Sequence, residues 1–261
     1  MERLVHNATH PGNWLPELRR VEAARPLQWL ASGAQDMLRA PWVSSAYGLI
    51  FALLGYALLQ ISGDYPHFAM TYVAGFFLVG PFLAIGLYAI ARRLEHNKPA
   101  NLYHALTAWH RSGLATALFG AMIAIVLVFW IRFSWVFIGL VLAGGGDVSA
   151  VITPNLSAAQ GLEFLAIYAL SGGLLALVVF TLSAISLPMM FHRRIDIVTA
   201  MRTSIAAVRA NKAAMTVWAA SIVVISGIGM ATYMIGFVIA FPLLGYATWH
   251  AYRDLVPRYA Q

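Results

Sequence analysis

Residues 113–131 read GLATALFGAMIAIVLVFWI, a run of 19 residues without one charged side chain. A helix needs about 20 mostly apolar residues to cross the hydrocarbon core of a bilayer. Inside that core each backbone amide must find its hydrogen-bond partner within the protein, which a helix provides by itself. The run therefore predicts a transmembrane helix, and with it an all-α fold.

The composition extends this prediction to the whole chain. Of its 261 residues, 61% are apolar and only 10% are charged, whereas soluble domains carry about 25% charged residues. So few charged residues cannot cover a water-soluble surface. We therefore expect the lipid bilayer to be a partner of this protein. The net charge of +7 is expected to reflect basic loops on the anionic cytoplasmic face, and no nucleic acid partner is predicted.

Hydropathy predicts six transmembrane helices, at 42–61, 68–91, 113–131, 162–191, 213–229 and 233–252. Arg132 interrupts the third apolar run, and the following residues 133–143 are interpreted as an extension or an interfacial segment. The last stretch, 213–252, would span about 60 Å as one helix, roughly twice the hydrocarbon thickness. It is therefore expected to fold back near 226–233.

The positive charges indicate the orientation of this bundle. With a cytoplasmic N-terminus, 16 of the 17 Lys and Arg residues fall in cytoplasmic segments, and only Arg132 lies outside. Such a bias sets topology in bacterial inner (plasma) membranes. The prediction is a cytoplasmic segment at 1–41, a six-helix membrane domain at 42–252 and a cytoplasmic tail at 253–261.

A three-fold repeat is suggested by features that recur along the chain. Amphipathic stretches at 27–38, 102–110 and 197–208 precede the odd-numbered spans and suit helices at the cytoplasmic interface. Each even-numbered span carries a proline in its cytoplasmic half, namely Pro81, Pro188 and Pro242. The expected unit is an interfacial helix followed by a membrane hairpin. The alternative is that proline is simply common in membrane helices.

Charged residues near the outer interface are the remaining candidates for a functional site. Arg132 and Glu163 could pair there, although the simpler interpretation is that Arg132 extends to the headgroups and Glu163 caps the fourth span. No catalytic constellation, nucleotide motif or metal-ligand set is recognisable. The chain has no cysteine, and none of its eight histidines falls at mid-membrane, where haem and copper centres are held. No cofactor is expected.

Several segments resemble a known family. They are GPFLAIGLY at 80–88, ARRLE at 91–95, SLPM at 186–189, AMRTS at 200–204 and PLLGYATWHAYR at 242–253. Together they are similar to the proteobacterial membrane family filed as domain of unknown function 2189, over 26–253. The resemblance implies an uncharacterised integral membrane protein and supplies no site residues.

Two functions remain open on the sequence alone. The first is a non-enzymatic module, either an accessory subunit of another membrane protein complex or an envelope-maintenance protein, which fits the scarcity of buried charge. The alternative is a transporter of a small apolar or lipid-like solute, since broken helices at repeats often line binding sites. An enzyme is not expected.

Overall fold

The computed structural model describes residues 4–5, 16–64, 75–76, 80–108, 113–143 and 159–257. Within these residues the fold is all-α apart from a two-residue antiparallel ladder, β1 (Leu4–Val5) with β2 (Leu18–Arg19). The helices are α1 (Arg25–Arg39), α2 (Pro41–Asp64), α3 (Ile85–Glu95), α4 (Leu102–Leu106), α5 (Gly113–Ala143), α6 (Ala159–Ser183), α7 (Ser186–Arg193), α8 (Ile197–Ala210), α9 (Lys212–Ala231) and α10 (Phe237–Leu255).

Four stretches of the described residues are long and apolar enough to cross a membrane, at 41–61, 113–140, 166–193 and 212–231. They coincide with the first, third, fourth and fifth predicted spans. Much of the second predicted span, including 68–74 and 77–79, lies outside the described residues. The sixth corresponds to α10, whose second half carries His250, Arg253 and Asp254.

Helix α5 continues without a break through Arg132. Its 31 residues correspond to about 46 Å at 1.5 Å per residue, more than the thickness of the hydrocarbon core. Residues 133–143 are therefore an extension of the third helix, which was one of the two interpretations. Tyr168 of α6 packs where this extension begins. Its hydroxyl shares a 2.8 Å hydrogen bond with Ser134, and its ring centroid lies 5.0 Å from that of Trp130.

The centre of the fold is α10, which packs along both α1 and α2. Phe51 of α2 stacks on Phe241 with ring centroids 3.7 Å apart, and Ser44 shares a 2.8 Å hydrogen bond with Tyr246. Pro242 cannot donate to the carbonyl of Val238, four residues earlier. Gly48 of α2 lies directly against that carbonyl, so α10 and α2 approach at backbone distance.

Two of the predicted even-numbered spans are broken. Gly80–Leu83 is helical, Ala84 is a turn and α3 follows, while Ala184 and Ile185 separate α6 from α7. Hydroxyl groups from neighbouring helices satisfy both breaks, as a membrane interior requires. Tyr47 donates to the carbonyl of Leu83 at 2.7 Å. Ser204 donates to the carbonyl of Thr181 at 2.7 Å and accepts from the Ile185 amide at 3.3 Å.

The predicted interfacial helices bury faces that differ from the apolar faces expected from the sequence. Helix α1 buries Trp29, Gly33 and Asp36 against α10, whereas Leu27 and Leu38 of its predicted apolar face are 60% and 75% exposed. Helix α8 buries Ala200, Thr203, Ser204 and Ala207. The second of these helices, α4, is shorter than the predicted 102–110, and residues 109–112 lie outside the described part. The exposed leucines of α1 suit contact with lipid.

We expect Gly48→Ala to lower the thermal unfolding midpoint in detergent. The added methyl group would meet the Val238 backbone, and overpacking of this kind costs about 1–3 kcal/mol. Gly227→Ala in α9 is the matched control, because nothing lies within 4 Å of the added carbon. Intrinsic tryptophan fluorescence on heating measures both variants, and equal midpoints would contradict the close approach of α2 to α10.

Candidate functional site

A cluster of charged groups surrounds the carboxyl end of α10. Asp254 accepts hydrogen bonds from Arg25 Nε at 2.7 Å, Trp29 Nε1 at 2.9 Å and Arg19 Nη1 at 3.1 Å. Its side chain is only 10% exposed. The first residues of α1 and the segment before it therefore fold back onto the other end of the chain.

A second carboxylate, that of Asp36, lies on α1 two turns after Trp29. Asp36 is buried and accepts from His250 Nε2 at 2.7 Å, with Arg39 Nη1 at 3.7 Å. Residues 29, 33 and 36 share one helical face, and so do His250 and Asp254. Spacing within the two helices thus sets the pairs of polar contacts between α1 and α10.

The end of α10 is also held by the two broken hairpins. Arg253 Nε donates to Glu95 of α3 at 3.0 Å. Arg193 of α7 donates from Nε to the Tyr252 hydroxyl at 3.0 Å, and from Nη2 to the carbonyls of Val256 and Pro257 at 3.0 and 2.8 Å. The half-helices α3 and α7, which follow the two helix breaks, therefore both contact the last turn of α10 or the residues directly after it.

An open cleft of about 270 Å³ lies between α1 and α10 beside these ion pairs. It is lined by Arg19, Arg25, Gln28, Trp29, Ser32, His250, Arg253 and Asp254. The lining thus combines three arginines and the Asp254 carboxylate with side chains that form neutral hydrogen bonds. The cleft is therefore suited to a polar group rather than to an apolar solute.

Electrostatics favour the charged form of Asp254. Burial alone would raise its pKa, but hydrogen bonds from Arg25 and Trp29, with the charges of Arg25 and Arg19, outweigh burial and hold the pKa below its usual range. The negative end of the α10 dipole also disfavours an anion in the last turn. The two arginines must therefore offset both effects.

The regions around the three prolines meet in a packed aromatic junction. Trp249 is fully buried, with ring centroids 5.3 Å from His192, 5.6 Å from Tyr252, 6.4 Å from Tyr88 and 6.5 Å from Phe191. Pro188 and Pro242 are buried and Pro81 is half-buried. The structure thus brings together the half-helices that follow or contain these prolines, through side chains that the proline pattern did not identify.

The predicted pair at the outer interface is only partly described. Arg132 is exposed on α5. Glu163 belongs to α6, but its side chain lies outside the described part of the structure. Their pairing stays a prediction. Among the described residues, no group of three His, Asp or Glu side chains could hold a metal ion.

No sequence pattern singles out Asp36 and Asp254. Each is an isolated acid, and its hydrogen-bond partners lie more than 200 positions away. The only available signal is that Asp254 directly follows Arg253, at a helix end where a carboxylate is unfavourable. Such an acid is expected to have a cationic partner from elsewhere in the chain.

We expect Asp254→Asn to destabilise the fold by about 1–3 kcal/mol at neutral pH, because it weakens charged hydrogen bonds to Arg19 and Arg25. Since the folded-state pKa of Asp254 is lowered, its stabilisation is present above the unfolded value of about 3.9 and is lost as the pH falls through the folded value. The difference from the wild type should therefore shrink at acid pH in thermal unfolding in detergent.

Asp196→Asn is the matched control for this change. Asp196 is an exposed N-cap of α8 that accepts from the Thr199 amide, and asparagine caps a helix about equally well. It should leave the midpoint nearly unchanged. Equal effects of the two variants would show that Asp254 does not anchor the N-terminal segment.

Comparison with known proteins agrees with the family resemblance. Residues 69–192 match the family model described as predicted integral membrane protein, DUF2189. No curated protein and no solved structure matches the chain. The matched region contains both helix breaks and the α5–α6 hairpin, and it is shorter than the 26–253 expected from the sequence. An integral membrane protein with several apolar helices is therefore established, and residues 69–192 of this chain are similar to the DUF2189 family.

Proposed function

We propose that this protein is a non-enzymatic module of the bacterial inner membrane, acting as an accessory subunit of a membrane protein complex or in envelope maintenance. The observation that carries the proposal is the packed junction around Trp249. A carrier with kinked helices is expected to place them around a solute site. Here the residues after both helix breaks, 84–91 and 184–191, are buried, and Tyr88, Phe191 and His192 all contact the Trp249 ring.

The proposed topology has six spans with both ends in the cytoplasm. It is supported by the antiparallel packing of α2 on α10, in which Ser44 contacts Tyr246 and Phe51 contacts Phe237. Two antiparallel helices place the start of α2 and the end of α10 on the same side. The ion pairs from Arg19 and Arg25 to Asp254 also require that residues 19–25 and 254 share one side.

An internal repeat is supported between two of the three proposed units. At an offset of 100 residues, Ala84-Ile85 corresponds to Ala184-Ile185, Leu87 to Leu187 and Arg93 to Arg193. Both units have a break, a buried half-helix and a following helix capped by a side chain, from Asn101 or Asp196. In this register Pro81 is opposite Thr181, so the helix breaks mark the repeat better than the prolines do. The third unit differs, since α10 is continuous through Pro242.

The topology predicts where reporter fusions are active. A reporter fused after Pro257 should show cytoplasmic activity, and one inserted within residues 144–158 should show periplasmic activity. The matched pair of alkaline phosphatase and fluorescent protein fusions at each site measures this directly. Periplasmic activity of the fusion after Pro257 would overturn the six-span arrangement.

The module proposal predicts a stoichiometric membrane partner or a defect in the envelope. Tagged full-length protein, captured from native membranes in mild detergent, should retain the same partner over repeated preparations, and an unrelated six-span protein with the same tag serves as control. Alternatively, deletion of the gene should sensitise cells to detergents or antibiotics that the envelope excludes. Capture of the bare protein together with an unaltered envelope would contradict the proposal, and solute-specific flux in proteoliposomes would favour the transporter instead.

A further inference from the structure

Helix α1 has three sides with different surroundings. Its buried side is formed by Pro26, Trp29, Gly33 and Asp36, which follow the i, i+3, i+7, i+10 spacing of one helical face. A carbon added at Gly33 would lie 2.9 Å from the amide nitrogen of Ala247, so the backbones of α1 and α10 approach closely there. This contact determines which side of α1 faces away from α10.

A second side of α1 is polar and exposed. Gln28, Gln35 and Arg39 lie at i, i+7 and i+11 and are exposed, and the Arg39 side chain is 63% accessible. The helix has no exposed carboxylate, because its one acid, Asp36, is buried and contacts His250. This side of α1 is therefore suited to water and to the polar headgroups of lipids.

The third side of α1 is apolar and faces away from α10. Leu27, Ala31 and Leu38 share the i, i+4, i+11 spacing of one face, and we call them the apolar stripe. All three are exposed, Leu27 by 60% and Leu38 by 75%. Leu30 and Met37, at the edge of this side, are half-buried against the core. The described residues therefore leave the apolar stripe uncovered.

The apolar stripe adjoins the lipid-facing surface of α2. Helix α1 ends at Arg39, and the apolar stretch that can span the membrane begins at Pro41. Ala40 lies between them in a non-helical conformation (φ −134°, ψ 56°). Trp42 is 87% exposed and Leu49, two turns later, is 49% exposed. Because a tryptophan at the entry of a span is typical of the headgroup region, α1 ends at the level where α2 enters the bilayer.

We propose that the apolar stripe binds the lipid surface at the headgroup region, while the opposite side of α1 binds α10. The partner of this face is the bilayer and not a second protein, because the stripe adjoins a surface that already faces lipid. An apolar side next to a side with glutamine and arginine is typical of an amphipathic helix in the plane of the interface. Since Trp29 of the same helix donates to Asp254, α1 connects the polar end of α10 to the membrane surface.

Single-cysteine labelling tests this proposal, because the chain has no cysteine of its own. The full chain, reconstituted in nanodiscs of phosphatidylglycerol and phosphatidylcholine, carries an environment-sensitive fluorophore at Leu27→Cys or at Leu38→Cys. The matched controls are Gln28→Cys and Gln35→Cys, which are exposed on the polar side of the same helix. Quenching by nitroxide-labelled lipid reports contact with the bilayer, and quenching by aqueous iodide reports contact with water.

The two pairs of labels should behave in opposite ways. Labels in place of Leu27 and Leu38 should be quenched by the nitroxide lipid and protected from iodide, and the two control labels should show the reverse. The proposal is overturned if the labels on the apolar stripe are as accessible to iodide as the controls. Protection from iodide without quenching by the lipid would also overturn it, since a second copy of the chain would then cover the stripe.

A label between the two leucines tests whether they hold α1 at the bilayer. With the fluorophore at Ala31→Cys, the double variant Leu27→Gln, Leu38→Gln should lose most of the quenching by nitroxide lipid, because it removes the apolar side chains of the stripe. The double variant Gln28→Ala, Gln35→Ala is the control and should retain the quenching. All five residues are exposed, so these changes leave the contacts with α10 in place. Equal quenching in the two double variants would contradict the proposed role of the stripe.

Discussion

The constraint on which the structure depends is that α10 ends in polar groups that lipid cannot solvate. His250, Arg253 and Asp254 fall within a single turn of a helix whose first half is apolar. Protein must therefore surround the second half of α10, and it does: α1 supplies Trp29 and Asp36, α3 supplies Glu95 and α7 supplies Arg193. The packing around Trp249 follows from this convergence, because helices that meet at the charged end of α10 are also close together at the residues just before it.

Hydropathy was sufficient to predict four of the long apolar helices. The run at 113–131 predicts α5 because every residue in it must tolerate the hydrocarbon core. The same reasoning locates α2, α6 and α9. Hydropathy predicts α10 less well, because protein rather than lipid surrounds its second half. Tyr246, Trp249 and Tyr252 are therefore in the interior of the protein, although a hydropathy profile treats them as a helix end.

The candidate site was largely hidden from the sequence for a related reason. Its contacts join residues that are far apart in the chain, and a lone Asp254 or Asp36 carries no local pattern. The proline pattern identified kinked helices, but the breaks at Ala84 and at 184–185 depend on hydroxyl groups from Tyr47 and Ser204. A proline lacks a backbone N–H, so a carbonyl of its own helix loses its hydrogen-bond donor. A neighbouring helix must supply another donor to that carbonyl. Which helix does so depends on the packing of the whole bundle.

The sequence separation of the central contacts bears on how the fold can be completed. Arg25 and Asp254 are 229 positions apart, and both α1 and α2 find their main packing surface on α10. During synthesis the N-terminal segment and α2 are therefore made long before the helix that covers them. Before α10 is made, Asp36 lacks His250 and Gly48 lacks the Val238 backbone. The last helix therefore supplies hydrogen-bond partners for polar groups of four other helices, which such groups need away from water.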